Sequence, residues 1–489
     1  MKLRLNKTMR DIQWSFISLA TSSLAGFLLR VVLGRELGAS ELGLYTLVFT
    51  IYMFGMQFAA FGIGLALTKY VAEFKEDVPR THVLVSSGCC IAIFTGCVMG
   101  LILYISSNTI ANIFSIPELG GLLHIVAIAF PFMALETVTL GFLNGLRRMQ
   151  IFAFINITQN GLIFILTIIL VLAGYGVSGA VIALVLSVIL LSLFSLFSIR
   201  KSIVKPVPEQ YFPIIKMLLA FGGYVVLASS IETVLIYTDN ILIGYFMSKT
   251  DLGYYSVAIL LSQAMFLIPQ AIQKITTPTI STYHGKGEID KIEELINRVM
   301  KYTAVFIIPI CFIVMFFAHQ IIALIFGLDF IPAVLPLQIL LIGIMPSVIQ
   351  TSVGSALSST AYVNMGFKLS SISAVVNIIL NLVLIPYLGI VGAAIATSIS
   401  RASAVMLHLY FVQRLIGIRI HWKWFAELFT FTALLVCATY GFGLLVNHYI
   451  CILLALIILI VVLLKYFVTR EDLGLIKGII SRPLPPGDA

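Results

Sequence analysis

Apolar stretches of about 20 residues, the length that crosses a hydrocarbon core of about 30 Å as a helix, follow one another along almost the whole chain. They fall at 12–33, 42–67, 82–106, 121–143, 151–173, 177–199, 217–246, 254–279, 302–326, 333–357, 369–388, 390–413, 425–446 and 449–468. The pattern predicts an all-α polytopic membrane protein with 14 transmembrane helices. Some polar gaps, such as Gly174–Gly176 and Pro386–Gly389, are short, and others are longer. Two of the longer ones read as amphipathic: Lys69–Arg80, and Glu288–Lys301 with Ile289, Ile292, Leu295, Ile296 and Val299 at helical spacing. Both suit a place on the inner membrane surface.

Charge orients the pattern. Of the 30 Lys and Arg residues, all but Arg30, Arg35, Lys249 and Arg401 fall in every second gap, beginning with Lys2, Arg4, Lys7 and Arg10. By the positive-inside rule this alternation predicts an even number of crossings in the cell membrane, with both termini in the cytoplasm. The composition agrees, with 60% hydrophobic residues, 10% charged residues and a mean hydropathy of +1.09. A soluble chain would be about a quarter charged. The net charge of +9 is spread over many gaps, which suits orientation and anionic lipid headgroups and excludes nucleic acid as a partner. The six cysteines lie within apolar stretches without CxxC spacing. They read as small core residues, and neither a metal site nor a cofactor is expected. Residues 12–33 are too long for a signal-peptide core and no A-x-A site follows, so they read as a retained first span.

The chain repeats itself. Val31–Thr46 (VVLGRELGASELGLYT) matches Ile241–Ser256 (ILIGYFMSKTDLGYYS) in its Gly, acid-Leu-Gly and Tyr positions, at an offset of 210 residues. Gly176–Ala183 matches Gly389–Ala396 at an offset of 213. Of the first twelve spans, six precede the Pro-rich stretch Lys205–Pro213 and six follow it, and the last two lie outside the repeat. The expected organisation is a first lobe at 1–205, a second at 206–420 in the same orientation, and a pair of helices with a cytoplasmic tail at 421–489. Parallel repeats of this kind are related by an axis along the membrane normal, and in transporters the substrate path runs between them.

The residues that carry these repeats also carry a resemblance. Arg30–Tyr45, Thr238-Asp239 with Leu252–Tyr255, and Asn377–Pro386 with Gly392–Thr397 resemble the polysaccharide-transporter branch of the multidrug/oligosaccharidyl-lipid/polysaccharide exporter superfamily, over essentially the whole chain. The resemblance implies a multidrug-exporter-like core of twelve helices in two lobes with two added helices. It implies a flippase, not an enzyme, that moves a lipid-linked oligosaccharide or polysaccharide repeat unit across the membrane by alternating access. Membrane lipids and glycan-assembly enzymes would be its neighbours. A cation-coupled multidrug antiporter and a lipid-linked peptidoglycan-precursor flippase are the alternatives within the same superfamily. A membrane-embedded glycosyltransferase would need catalytic acids or a large outer domain, and no G-x-x-x-x-G-K-[ST] loop marks an ATPase.

An ion at the bilayer centre costs roughly 2.5–3.5 kcal/mol on insertion scales, so charges left inside spans need a wet cavity or a partner. Arg30 and Arg401 are expected to bind substrate, their guanidinium forks matching a diphosphate; an internal ion pair, or snorkelling for Arg30, is the alternative. Asn156, Asn160, Asn377 and Asn381 are the substrate-binding polar candidates, their alternative being interhelical hydrogen bonds. Glu136, Glu232 and Asp239 are candidates for coupling to H+ or Na+ or for gating. Glu232 and Asp239 are seven residues apart, so two turns place them on roughly one face.

Overall fold

The apolar stretches lie on helices, because a bilayer offers their backbone groups no other partners than one another. The computed structural model describes residues 2–204, 208–351, 353–354, 356–357, 359–360, 362–443 and 448–467, with no strand among them. Lys205–Val207 of the Pro-rich stretch and the basic tail with Arg470, Lys477 and Arg482 lie outside the described residues.

The helices run in the order α1 (Lys2–Ala60), α2 (Ile63–Glu73), α3 (Val78–Ile113), α4 (Pro117–Ala127), α5 (Ala129–Gly145), α6 (Met149–Leu170), α7 (Gly176–Ser198) and α8 (Pro208–Phe246). They continue as α9 (Lys249–Gln263), α10 (Leu267–Gly285), α11 (Ile289–Phe316), α12 (Ala318–Ile325), α13 (Val334–Thr351), α14 (Val363–Ile416), α15 (Trp422–Gly443) and α16 (His448–Val462). Among the described residues nine helices are long and apolar enough to cross a membrane, or ten when α4 and α5, bent by 44°, count together. Some of them hold two of the stretches read from the sequence. α1 is 59 residues long, about 88 Å at 1.5 Å per residue, and breaks at Gly38, whose φ of 79° and ψ of 179° are not helical. α14 breaks likewise at Gly389.

Contacts divide the chain into two units. One comprises 1–260, 322–336 and 370–397, the other 261–321, 337–369 and 398–489. In the first, α3 packs on α4 and α5, α1 on α6, and α2 on α5, around a core that includes Ile63, Leu67, Leu84, Val138 and Phe142. Gly96 and Gly100 bring α3 against the backbone at Ala127 and Pro131. In the second, α10 packs on α11 and α15 on α16. There α11 is amphipathic as expected at its start, with Ile292, Ile296 and Met300 buried. The other expected amphipathic segment is not one helix: α2 ends at Glu73, and α3 starts at Val78, where Asp77 accepts a hydrogen bond from the Arg80 amide and a proline stands in the first turn. Of the cysteines, Cys90, Cys97 and Cys437 are exposed on apolar helices and Cys89 and Cys311 are buried.

The repeated motifs meet in the first unit. A side chain at Gly43 would collide with the Lys249 carbonyl, and one at Gly253 with the Ala39 carbonyl. Gly43 corresponds to Gly253, and Ala39 to Lys249, at the offset of 210. Gly176 and Gly389, also paired by the repeat, adopt the same positive-φ conformation, 53° and −140° against 58° and −139°. Nearby, Arg35 donates from Nε to the Ile325 carbonyl at 2.7 Å and from Nη2 to the Leu324 carbonyl, closing the last turn of α12.

Replacing Gly43 or Gly253 with Ala should destabilise the protein by about 1–3 kcal/mol, as overpacking does. Thermal unfolding in detergent reads this directly. Gly441→Ala, in a helix with nothing within 4 Å of the new carbon, should leave the midpoint where it is or raise it.

Candidate functional site

A buried carboxylate holds the centre of the first unit. α8 carries Asp239 inward to 3% exposure, and in so apolar a setting its oxygens need donors. Two helices supply them, α9 and α14. Tyr255 of α9 donates its hydroxyl to Oδ2 at 2.6 Å, Asn381 of α14 donates Nδ2 to Oδ1 at 2.7 Å, and Thr397 donates its hydroxyl to Oδ2. Asn381 also donates to Asn377 Oδ1 at 3.2 Å, and Asn377 to Thr397 Oγ1 at 3.4 Å. Asn377 and Asn381 stand before the break at Gly389 and Thr397 after it, so the break lets both arms of α14 converge on one acid. Asn381 Oδ1 is buried without a partner among the described residues. Beside Asp239, Asn240 donates to Thr50 Oγ1 at 3.1 Å and ties α8 to α1.

The structure thus brings together three residues singled out in the sequence, Asp239, Asn377 and Asn381. Tyr255 and Thr397 join them; both stand in the motifs quoted above, yet neither spacing nor residue type marks them as ligands of an acid on another helix. Glu232, two turns from Asp239, is exposed and makes no hydrogen bond or ion pair among the described residues.

A second buried acid is Glu136 of α5, 3% exposed. Its Oε2 accepts from Gln159 Nε2 of α6 at 2.8 Å, and its Oε1 has no partner among the described residues. On the same helix Asn160 donates to Ser22 Oγ of α1 at 3.0 Å and to the Asn156 carbonyl at 2.8 Å. Asn156 turns back to the Phe152 carbonyl at 2.9 Å. Both asparagines are half-buried.

Arg30 is half-buried and forms no ion pair among the described residues. Its guanidinium lies 5.7 Å from the centre of the Phe49 ring. In the second unit the half-buried Arg401 lies 5.5 Å from the Phe266 ring, and its carbonyl accepts from Ser347 Oγ at 3.4 Å.

The remaining exceptional base, Lys249, stands at the start of α9. Its Nζ binds Glu118 Oε2 of α4 at 2.9 Å and Glu41 Oε1 of α1 at 3.3 Å. The hydrogen bond to Glu118 and the nearby Glu41 raise the ammonium above the ordinary lysine value. A raised folded value means that the clasp contributes fully below the ordinary lysine pKa of about 10.4 and is lost as pH rises through the folded value.

Residues 32–335 match the model of a family described as polysaccharide biosynthesis protein. The protein named "Probable low-salt glycan biosynthesis flippase Agl15" of Haloferax volcanii is 25% identical over 418 residues, which cover 84% of this chain and 86% of that one. "Probable flippase AglR" of the same organism is 25% identical over 397 residues, covering 78% of each. Among solved structures, the lipid II flippase MurJ in an inward closed conformation superposes with a TM-score of 0.72 at 19% identity, over 93% of this chain and 99% of that one. That likeness shows a common fold.

Two outcomes follow from this geometry. Asp239→Leu strands the donors of Tyr255, Asn381 and Thr397 and should cost about 1–3 kcal/mol for each donor left unsatisfied; Asp239→Asn should cost less, and thermal unfolding ranks the two. Lys249→Gln should speed amide exchange at residues 117–121 and 249–253, whereas in the unaltered protein that speeding should begin only above a pH of about 10.4.

Proposed function

The chain belongs to the polysaccharide biosynthesis protein family, and from that membership we propose that it is a flippase for a lipid-linked oligosaccharide or polysaccharide repeat unit. The observation that carries the reading is Arg30, a half-buried guanidinium with no ion pair among the described residues. A partly desolvated cation with five donors calls for an anion, and the diphosphate of a lipid-linked glycan is one of matching geometry. Arg401 supplies a second half-buried guanidinium. The relatives named as flippases cover more than three quarters of the chain, which supports the same reading. The chain acts as a transporter and not as an enzyme.

The proposed arrangement is 14 crossings in the cell membrane with both ends in the cytoplasm, two six-helix repeats at 1–205 and 206–420, and two further helices at 421–489. The common conformation of Gly176 and Gly389 supports the duplication, as does the reciprocal contact of Gly43 and Gly253. In a two-fold arrangement residue i meets j and j meets i.

Alternating access needs a coupling step, and Asp239 is the group we assign to it. Carboxylate, hydroxyl and amide oxygens suit a hard cation such as Na+. In this cluster the oxygens of Asp239, Thr397, Asn377 and Asn381 lie together, and Asn381 Oδ1 has no partner among the described residues. A proton on Asp239 is the other form of the same step. Glu136, whose Oε1 has no partner among the described residues, and Glu232, exposed two turns along α8 from Asp239, are the further acids through which cations pass. Asn156 and Asn160 face the cargo from α6.

Arg30→Ala and Arg401→Ala should each abolish surface glycan in a deletion host at unchanged protein level; unaltered glycan in both variants would falsify the role given to them. Drug resistance conferred without any glycan defect would instead identify an antiporter. In proteoliposomes Asp239→Asn should remove the dependence of transport on a sodium or proton gradient, and persistence of that dependence would move the coupling step elsewhere.

A further inference from the structure

Beyond Arg30, a strip of half-buried side chains runs along facing parts of α1 and α8. Phe49 lies under the guanidinium of Arg30. Tyr237 of α8 meets the Phe54 ring edge-on at 6.3 Å and 61°. Farther on, Gln57 donates from Nε2 to Ser229 Oγ and, at 3.5 Å, to the Val226 carbonyl. Tyr237 and Ser229 are eight residues apart, about 12 Å along α8. Along that length the chemistry changes from cation, to aromatic ring, to amide and hydroxyl.

On α1, Tyr45 and Tyr52, one turn either side of Phe49, are 3% exposed and fill the core with Phe49 between their rings, whereas Phe54 and Gln57 of α1 and Tyr237 of α8 stay half-buried. A lipid tail would be served by the rings but not by Gln57 and Ser229. A cationic drug would be repelled by Arg30. A sugar needs both kinds of surface, because its ring presents C–H groups to an aromatic face and hydroxyls at its rim, and binding sites for such molecules combine rings with a few placed polar groups.

We infer that Phe54 and Tyr237, with the Gln57–Ser229 pair behind them, form a shelf for the first sugars of the cargo, next to the diphosphate held at Arg30. The inference rests on the flippase reading and deepens it: Arg30 would hold what all lipid-linked glycans share, and the shelf would read that a sugar follows.

The test is lipid binding by the full-length protein in nanodiscs, with two probes, undecaprenyl diphosphate and undecaprenyl diphosphate carrying a disaccharide. The unaltered protein should bind the glycosylated probe more tightly, by about tenfold for the loss of one or two ring contacts. Phe54→Ala and Tyr237→Ala should erase that preference, whereas Arg30→Ala should weaken binding of both probes. Leucine at positions 54 and 237 keeps apolar bulk without the ring, and thermal unfolding of the same samples separates a fold defect from a lost ring. A preference that survives in the four ring variants, or equal binding of both probes by the unaltered protein, overturns the shelf. Failure of the unaltered protein to bind either probe overturns the flippase reading beneath it.

Discussion

A carboxylate inside a helical bundle has to take its hydrogen bonds from other helices, and Asp239 takes them from α9 and from both arms of α14. Burying a charge without such partners would cost several kcal/mol, so this one acid fixes the approach of segments far apart in the chain. Tyr255 is 16 residues from it, Asn381 is 142 and Thr397 is 158. The fixing is made by neutral donors. A hydroxyl or an amide can turn away at modest cost, whereas an arginine partner would bind the acid tightly and hold it in one state. The cluster is therefore a structural centre held by partners that can turn away, which suits the coupling role we propose for it.

The glycines make that arrangement possible. The break at Gly389 turns α14 back on itself, and the bare backbones at Gly43 and Gly253 let α1 and α9 touch. The close approach brings Lys249 of α9 within reach of Glu41 of α1, with Glu118 of α4 on its other side. From one seam of the first unit, then, run the acid cluster, the Lys249 clasp and the strip that starts at Arg30.

Much of this was legible in the sequence, for reasons that differ from residue to residue. The apolar stretches were, because lipid removes every alternative to the helix. Asp239 was visible because a charge in an apolar run is costly, and Asn377 and Asn381 because amides in such a run are uncommon. Tyr255 and Thr397 were not, since a hydroxyl costs little in a helix and its partner lies on another one. Glu232 and Asp239 share a helical face by spacing, yet one is exposed and the other buried, because burial depends on what faces each level of α8. The segment Lys69–Arg80 has helical spacing, but Asp77 and Pro79 impose a new start within it.

The Lys249 clasp and the Asp239 cluster differ in one further respect. The clasp is open to solvent, with side-chain exposures of 25% for Lys249 and 62% for Glu118, so dissolved ions reach it; at about 1 M salt the screening length is only about 3 Å. The hydrogen bonds around Asp239 are buried and largely beyond that influence. Ionic strength in the surrounding medium therefore acts as a selective loosening agent, easing the ties at the start of α9 while leaving the ties at the acid unchanged.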